Sequence, residues 1–135
     1  MKRRVFIKTG SLAAGSMMIS RPLMAQSDRI KIAIVGTGWW ANDFLLNPIL
    51  KSGQFELIGL CDVDSLALSA TADKVLAAGK PKPELFADYR KMYDLPGLQA
   101  VVIATPPHWH ALQFVDACEK GLDVFLEKPL SWDIR

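Results

Sequence analysis

The sequence predicts an α/β fold, a doubly wound parallel sheet with helices on both faces. Three observations predict it. Short β-branched runs alternate with helical segments from residue 30 onward, glycines stop the helices, and no internal repeat or low-complexity segment breaks the alternation. Right-handed crossovers then favour the strand order 3-2-1-4-5.

Ile30–Val35 is a β-branched run with no turn residue, as a buried parallel strand requires, and Gly36-Thr37-Gly38 breaks it. Phe44, Leu45, Ile49 and Leu50 have helical spacing, so a first helix is expected, kinked or ended by Pro48 and stopped at Gly53. Phe55 to Cys61 is the second strand, and the Ala/Leu-rich residues 65–78 form a helix ending at Gly79. Lys80-Pro81-Lys82-Pro83 is a loop. A weak strand at Glu84–Phe86 precedes a helix from Asp88 to Asp94, followed by turn residues Pro96-Gly97. Ala100 to Ala104 is the clearest strand, His110 to Lys120 a helix capped by Gly121, and Asp123 to Leu126 the fifth strand. Ser131 would start a further helix only four residues before Arg135. That is an awkward place for a domain to stop, so residues 26–135 are read as a truncated domain.

At 135 residues the chain makes one domain at most, and its 50% hydrophobic and 22% charged content can bury a core. Disorder, collagen-like repeats and a disulfide scaffold are excluded on that composition. The formal charge of +2 hides an asymmetry. Residues 1–25 hold five Lys/Arg and no acid, whereas residues 26–135 carry eleven basic against fourteen acidic groups, net −3. A body of that sign does not attract phosphate backbones, so nucleic acid is not an expected partner.

The first twenty-five residues read as a leader. Lys2-Arg3-Arg4 is a charged start, Val5-Phe6-Ile7-Lys8 follows, and Thr9 to Ser20 is mildly apolar. Arg21-Pro22 closes the stretch, and Leu23-Met24-Ala25 offers small-residue cleavage. The apolar run falls short of the ~20 residues of a membrane span. Adjacent arginines before Phe, Ile and Lys resemble a twin-arginine signal, which carries folded proteins out of the cytosol. The expectation is a periplasmic or otherwise exported protein that meets the twin-arginine machinery; an ordinary basic N-terminus or an uncleaved anchor is the alternative. Cys61 and Cys118 have no short spacing and are read as buried small apolar residues rather than a disulfide.

Gly36-x-Gly38-x-x-Ala41 lies between the first strand and the first helix. Gly36 permits the tight turn, Gly38 lets backbone N–H groups approach a pyrophosphate, and Ala41 is small enough for close helix–strand packing. The helix N-terminus adds partial positive charge without a basic side chain. Asp62 follows the second strand, 26 residues after Gly36, where a carboxylate accepts the ribose hydroxyls of an adenosine half. With Asp64 beside it and no adjacent Arg, a 2′-phosphate is repelled, so NAD is favoured over NADP. The bland alternative makes Asp62 a turn former and Asp64 a helix cap. One or both of Trp39 and Trp40 lie over the cofactor or shape the substrate mouth, or else they pack in the core, and successive helical positions let only one ring easily face inward.

Thr105-Pro106-Pro107-His108-Trp109-His110 follows the fourth strand, beside the switch point where open α/β sheets bind ligands. Thr105 can offer a hydroxyl to the cofactor. The His108-x-His110 pair lacks further ligands, so no metal site is expected. His108 is read as exposed or capping, His110 as facing the loop interior. Glu127-Lys128-Pro129 follows the fifth strand, where Lys128 either assists proton transfer or forms a surface salt bridge with Glu127.

Taken together, Gly36-x-Gly38-x-x-Ala41, Cys61-Asp62, Ala104-Thr105-Pro106-Pro107-x-x-His110 and Glu127-Lys128-Pro129 resemble the glucose–fructose oxidoreductase, inositol dehydrogenase and rhizopine-catabolism (Gfo/Idh/MocA) family over residues 30–135. The resemblance implies a Rossmann domain, here the N-terminal domain only with the second domain absent. It also implies NAD(P)-dependent oxidation or reduction of a sugar, cyclitol or related polyol. By that resemblance Gly36, Thr37, Gly38, Trp39, Trp40, Ala41 and Asp62 hold the dinucleotide, and Thr105, Pro106 and His110 line its nicotinamide half. Glu127 and Lys128 lie against the nicotinamide, with Lys128 as the catalytic residue contacting the reacting hydroxyl. Family enzymes add a second α/β domain that carries an acid–base pair, so the 135 residues alone are expected to bind a dinucleotide and turn over little. A homo-oligomeric full-length form is left open. One branch hydrolyses glycosides through transient NAD oxidation and usually lacks the Lys of this motif, so Lys128 favours a dehydrogenase. An NAD-dependent glycosidase, and a non-catalytic dinucleotide-binding module if Arg135 is the true terminus, are the alternatives.

Overall fold

A computed structural model describes residues 29–133. The leader expected at residues 1–25 lies outside the described residues. Five strands form one parallel sheet: β1 (Ile30–Val35), β2 (Phe55–Cys61), β3 (Glu84–Phe86), β4 (Ala100–Ile103) and β5 (Asp123–Leu126). Their spatial order is β3-β2-β1-β4-β5, as the sequence predicts.

The pleat divides β1 between two apolar layers. Ile32 and Ile34 face a helical layer made by α1 (Leu46–Lys51) and α2 (Ser65–Ala77), packing with Leu46, Leu50, Leu68, Ala72 and Val75. Ala33 and Val35 face the opposite layer, where α3 (Tyr89–Tyr93) and α4 (Pro107–Glu119) contribute Met92, Tyr93 and Ala117. Full burial of each Ile, Leu or Val side chain contributes about 1.5–3 kcal/mol relative to exposure. A register shift between Ile32 and Ala33 skips one residue of β2, which is why Leu57 and Leu60, three apart, share a layer.

Three local expectations change. The first helix is not broken at Pro48. After Trp39 and Trp40 it widens instead into a π-helical turn over Ala41–Leu45, closed by the Leu46 N–H on the Ala41 carbonyl, and Pro48 sits inside regular α1. The wide turn rotates Phe44 outward, so Leu45, Leu46, Ile49 and Leu50 make the apolar stripe without it. Helix α4 starts at Pro107, three residues before His110, because a proline at the first helical position loses no needed N–H. Asp88 caps α3 rather than belonging to it, accepting the Arg90 N–H at 3.0 Å. No helix among the described residues is long and apolar enough to cross a membrane.

Candidate functional site

The C-terminal ends of all five strands meet at one edge of the sheet, and the loops there are tied together. The Gly36 N–H donates to the Cys61 carbonyl at 2.8 Å, Asp62 N–H to Phe86 O at 3.1 Å, Ala104 N–H to Val35 O at 2.8 Å, and Glu127 N–H to Ile103 O at 3.0 Å. Gly36 adopts φ +90°, and a Cβ there would stand 2.8 Å from the Ala104 backbone. Glycine is therefore required at that turn.

Asp62 is half-buried and fastens this loop. Its Oδ2 accepts the Thr37 N–H at 2.7 Å and the Thr37 hydroxyl at 3.0 Å, while Oδ1 accepts the Asp64 N–H at 2.9 Å. Asp64 caps α2, accepting from Leu66 and Ala67 at 2.9 and 3.2 Å, so the capping role suits Asp64. Asn42, unremarked in the sequence, is a second clamp. Its Nδ2 donates to the carbonyls of Thr37 and Gly38 at 2.7 and 3.0 Å, and its Oδ1 accepts from Lys74 Nζ at 3.0 Å.

Neither tryptophan of the loop joins the sheet core. Trp39 is 69% exposed and Trp40 half-buried, and with exposed Phe44 they form an aromatic cluster with ring centroids 4.4 to 6.2 Å apart. The Trp40 indole N–H is buried with no hydrogen-bond partner among the described residues, a cost of about 1–3 kcal/mol for an unpaired donor. Lys128 is exposed, with its ammonium 5.9 Å from the Trp40 ring centroid. The salt bridge to Glu127 weighed from sequence does not form among the described residues; Glu127 is half-buried beside it.

Helix α4 supports the Thr105 loop. The Thr105 hydroxyl donates to Gln113 Oε1 at 2.6 Å, so its hydrogen is engaged within the protein and its oxygen is left to accept. His110 is buried, as its expected inward orientation requires, whereas His108 is exposed within the first turn of α4. Among the described residues no three His, Cys, Asp or Glu side chains cluster as a metal site would need.

These residues line a cleft of about 820 Å³ that runs past the ends of all five strands, from Asp88 and Arg90 through Asp62 and Gly38 to Thr105 and Lys128. Arg90 is an addition that the sequence did not point to. Its guanidinium lies 4.7 Å over the Tyr89 ring and 3.7 Å from both Asp88 and Asp116. The one available signal was its position just after β3, the neighbour of β2.

Burial, with the Asp62 and Asp88 charges adding to it, pushes the Cys61 thiol up from 9.0 to about 12. The folded chain thus keeps this proton longer than the unfolded chain. The stabilisation is full below pH 9.0 and is lost as pH rises toward about 12. Cys61 is buried as expected, but Cys118, expected buried too, is exposed on α4, so alkylation at pH 8 should label Cys118 and spare Cys61 in the native protein. Equal labelling in peptide mapping would show that the end of β2 opens readily.

A glycine turn after β1, an acid after β2 and loops after β4 and β5 converging on one cleft define a dinucleotide-binding α/β domain. Residues 30–135 match the family model described as "Oxidoreductase family, NAD-binding Rossmann fold" (GFO_IDH_MocA), and the chain belongs to that family. It is 31% identical over 134 residues to a glycosyl hydrolase family 109 protein of Stenotrophomonas maltophilia (strain K279a), covering 94% of this chain and 29% of that relative. Scyllo-inositol dehydrogenase from Lactobacillus casei, solved with NAD(H) and scyllo-inositol, is similar at a TM-score of 0.67 and 28% identity, covering 78% of this chain and 29% of that one. The WlbA dehydrogenase from Bordetella pertussis, solved with NADH and UDP-GlcNAcA, gives 0.64 and 27%, covering 76% and 30%. The chain thus spans under a third of each.

Proposed function

We propose that this chain is the nucleotide-binding part of an NAD-dependent oxidoreductase acting on a sugar, cyclitol or related polyol. The carrying observation is the single cleft that joins Asp62 and the glycine loop at one end to Thr105, Glu127 and Lys128 at the other. The residues fit a dinucleotide. A Cβ at Gly38 would meet nothing within 4 Å, leaving open space above the loop backbone where a pyrophosphate approaches.

In this reading Gly36, Thr37, Gly38, Trp39, Trp40, Ala41 and Asp62 hold the dinucleotide, Thr105, Pro106 and His110 line its nicotinamide half, and Glu127 lies against it. Lys128 contacts the reacting hydroxyl and helps carry its proton. The bound nicotinamide supplies hydride transfer. NAD is favoured over NADP because Asp62 and Asp64 would face a 2′-phosphate, and because Arg90 is already held between Asp88 and Asp116. The leader residues support export by the twin-arginine route to the periplasm, which signal-dependent fractionation of the full-length protein tests.

A second reading rests on the 31% identical relative named as a glycosyl hydrolase: an NAD-dependent glycosidase of the same fold. A screen of the full-length protein decides between them. Net nicotinamide reduction with a free polyol supports the oxidoreductase. Sugar release from a glycoside with no net reduction replaces it with the glycosidase. Asp62→Ala should weaken NADH binding by about 1–3 kcal/mol, roughly 5- to 150-fold in Kd. An unchanged titration would leave Asp62 with its loop-fastening role alone.

A further inference from the structure

The geometry points to His110 as a positioning residue that braces the Lys128 loop against the Thr105 loop, with one ring nitrogen toward each. Nε2 stands 2.7 Å from the Thr105 carbonyl oxygen, and Nδ1 stands 2.7 Å from the Pro129 carbonyl oxygen. The ring is 1% exposed. Both nitrogens are thus committed to backbone, one on each of the two loops that border the nicotinamide end of the cleft.

A carbonyl oxygen only accepts, whereas a neutral imidazole has one N–H and one bare nitrogen. A neutral ring therefore donates to one of the two carbonyls, the tautomer deciding which, while the ring stands against both and fills the gap between the loops. Gln113, one turn further along α4, completes the clamp on the first loop by accepting the Thr105 hydroxyl hydrogen at 2.6 Å. Both loops are then braced from a single helix face. The start of α4 at Pro107 is what turns His110 and Gln113 toward the sheet together; both are buried.

The activity readout rests on the oxidoreductase reading, but the spectroscopic one does not. In the full-length protein, ¹⁵N–¹H NMR of the His110 ring should show a ring hydrogen held in a hydrogen bond and protected from exchange with water, with and without NADH. A ring hydrogen that exchanges freely with water overturns the brace. His110→Ala should lower kcat roughly 10- to 100-fold through misplacement of Lys128, with the NADH Kd within about threefold of wild type. His110→Gln, which can reach one carbonyl, should recover part of that loss. His108→Ala, altering an exposed side chain on the same helical turn, should match wild type. A large loss of NADH affinity with kcat preserved would overturn the brace and leave His110 only its place along the nicotinamide half. If His110→Ala does not fold, the wild-type ring spectrum decides alone. A wild-type protein that binds no dinucleotide would sink the oxidoreductase reading, and the same spectrum would still judge the brace.

Discussion

Gly36→Ala is expected to destabilise the protein by roughly 3 kcal/mol or more, whereas Gly38→Ala should leave stability near wild type and abolish dinucleotide binding. The two glycines differ in what surrounds them. At Gly36 the backbone holds φ +90°, and an added Cβ would lie 2.8 Å from Ala104 C, Ala104 O and Thr105 N. Those atoms are backbone at the end of β4, already pinned by the Ala104 N–H on Val35 O at 2.8 Å, so they cannot give way cheaply. Strain and overlap therefore add. Gly38 has no positive φ, and its Cβ would project into open space. That space is where the proposed pyrophosphate must come within hydrogen-bond reach of the loop, so a methyl there blocks the ligand and not the fold. Thermal unfolding and NADH titration of both variants separate the effects. A Gly36→Ala protein as stable as wild type would refute the strained turn, and a Gly38→Ala protein that still binds NADH would move the pyrophosphate elsewhere.

The same contrast explains what the sequence could reveal. Gly36, the β-branched run before it and Asp62 after the next such run depend on local chemistry, and they carried the sheet order and the glycine-loop end of the cleft. The π-helical turn was hidden because Pro48 drew the expected disruption to itself. A proline lacks the N–H that would bond the carbonyl four residues back, Phe44 here, so its influence falls on the preceding turn, and that is where the wide turn sits. Phe44 consequently points away from the core its spacing promised. Asn42, Arg90 and Gln113 were missed for another reason. Asn42 meets Thr71 and Lys74 across 29 and 32 residues of chain, and Arg90 meets Asp116 from a different helix. No spacing rule encodes such meetings; they exist only once the crossovers have packed. Sequence order also suggested that no Arg stood near the acidic pair, and the fold brings Arg90 into their cleft while Asp88 and Asp116 hold its charge.

Lys128→Met in the full-length protein should lower kcat by roughly 100- to 10,000-fold, the usual worth of a positioned proton-transfer group, with the NADH Kd little changed. Methionine keeps an unbranched apolar stem one atom shorter but has no hydrogen to give. Lys128→Arg should not restore the rate, because a guanidinium keeps its proton and is planar where the ammonium is compact. Trp40→Leu probes the surroundings of the same group. It removes the ring that lies 5.9 Å from the ammonium, a contact worth about 0.5–1 kcal/mol at an exposed site, so a loss of no more than about fivefold is expected. A Trp40→Leu loss as large as that of Lys128→Met would mean that the indole ring itself touches the reacting molecule. Wild-type turnover in Lys128→Met would leave Lys128 as a cation resting on an aromatic face. The proton would then be carried by another group, such as Glu127 in the same cleft or one outside the described residues.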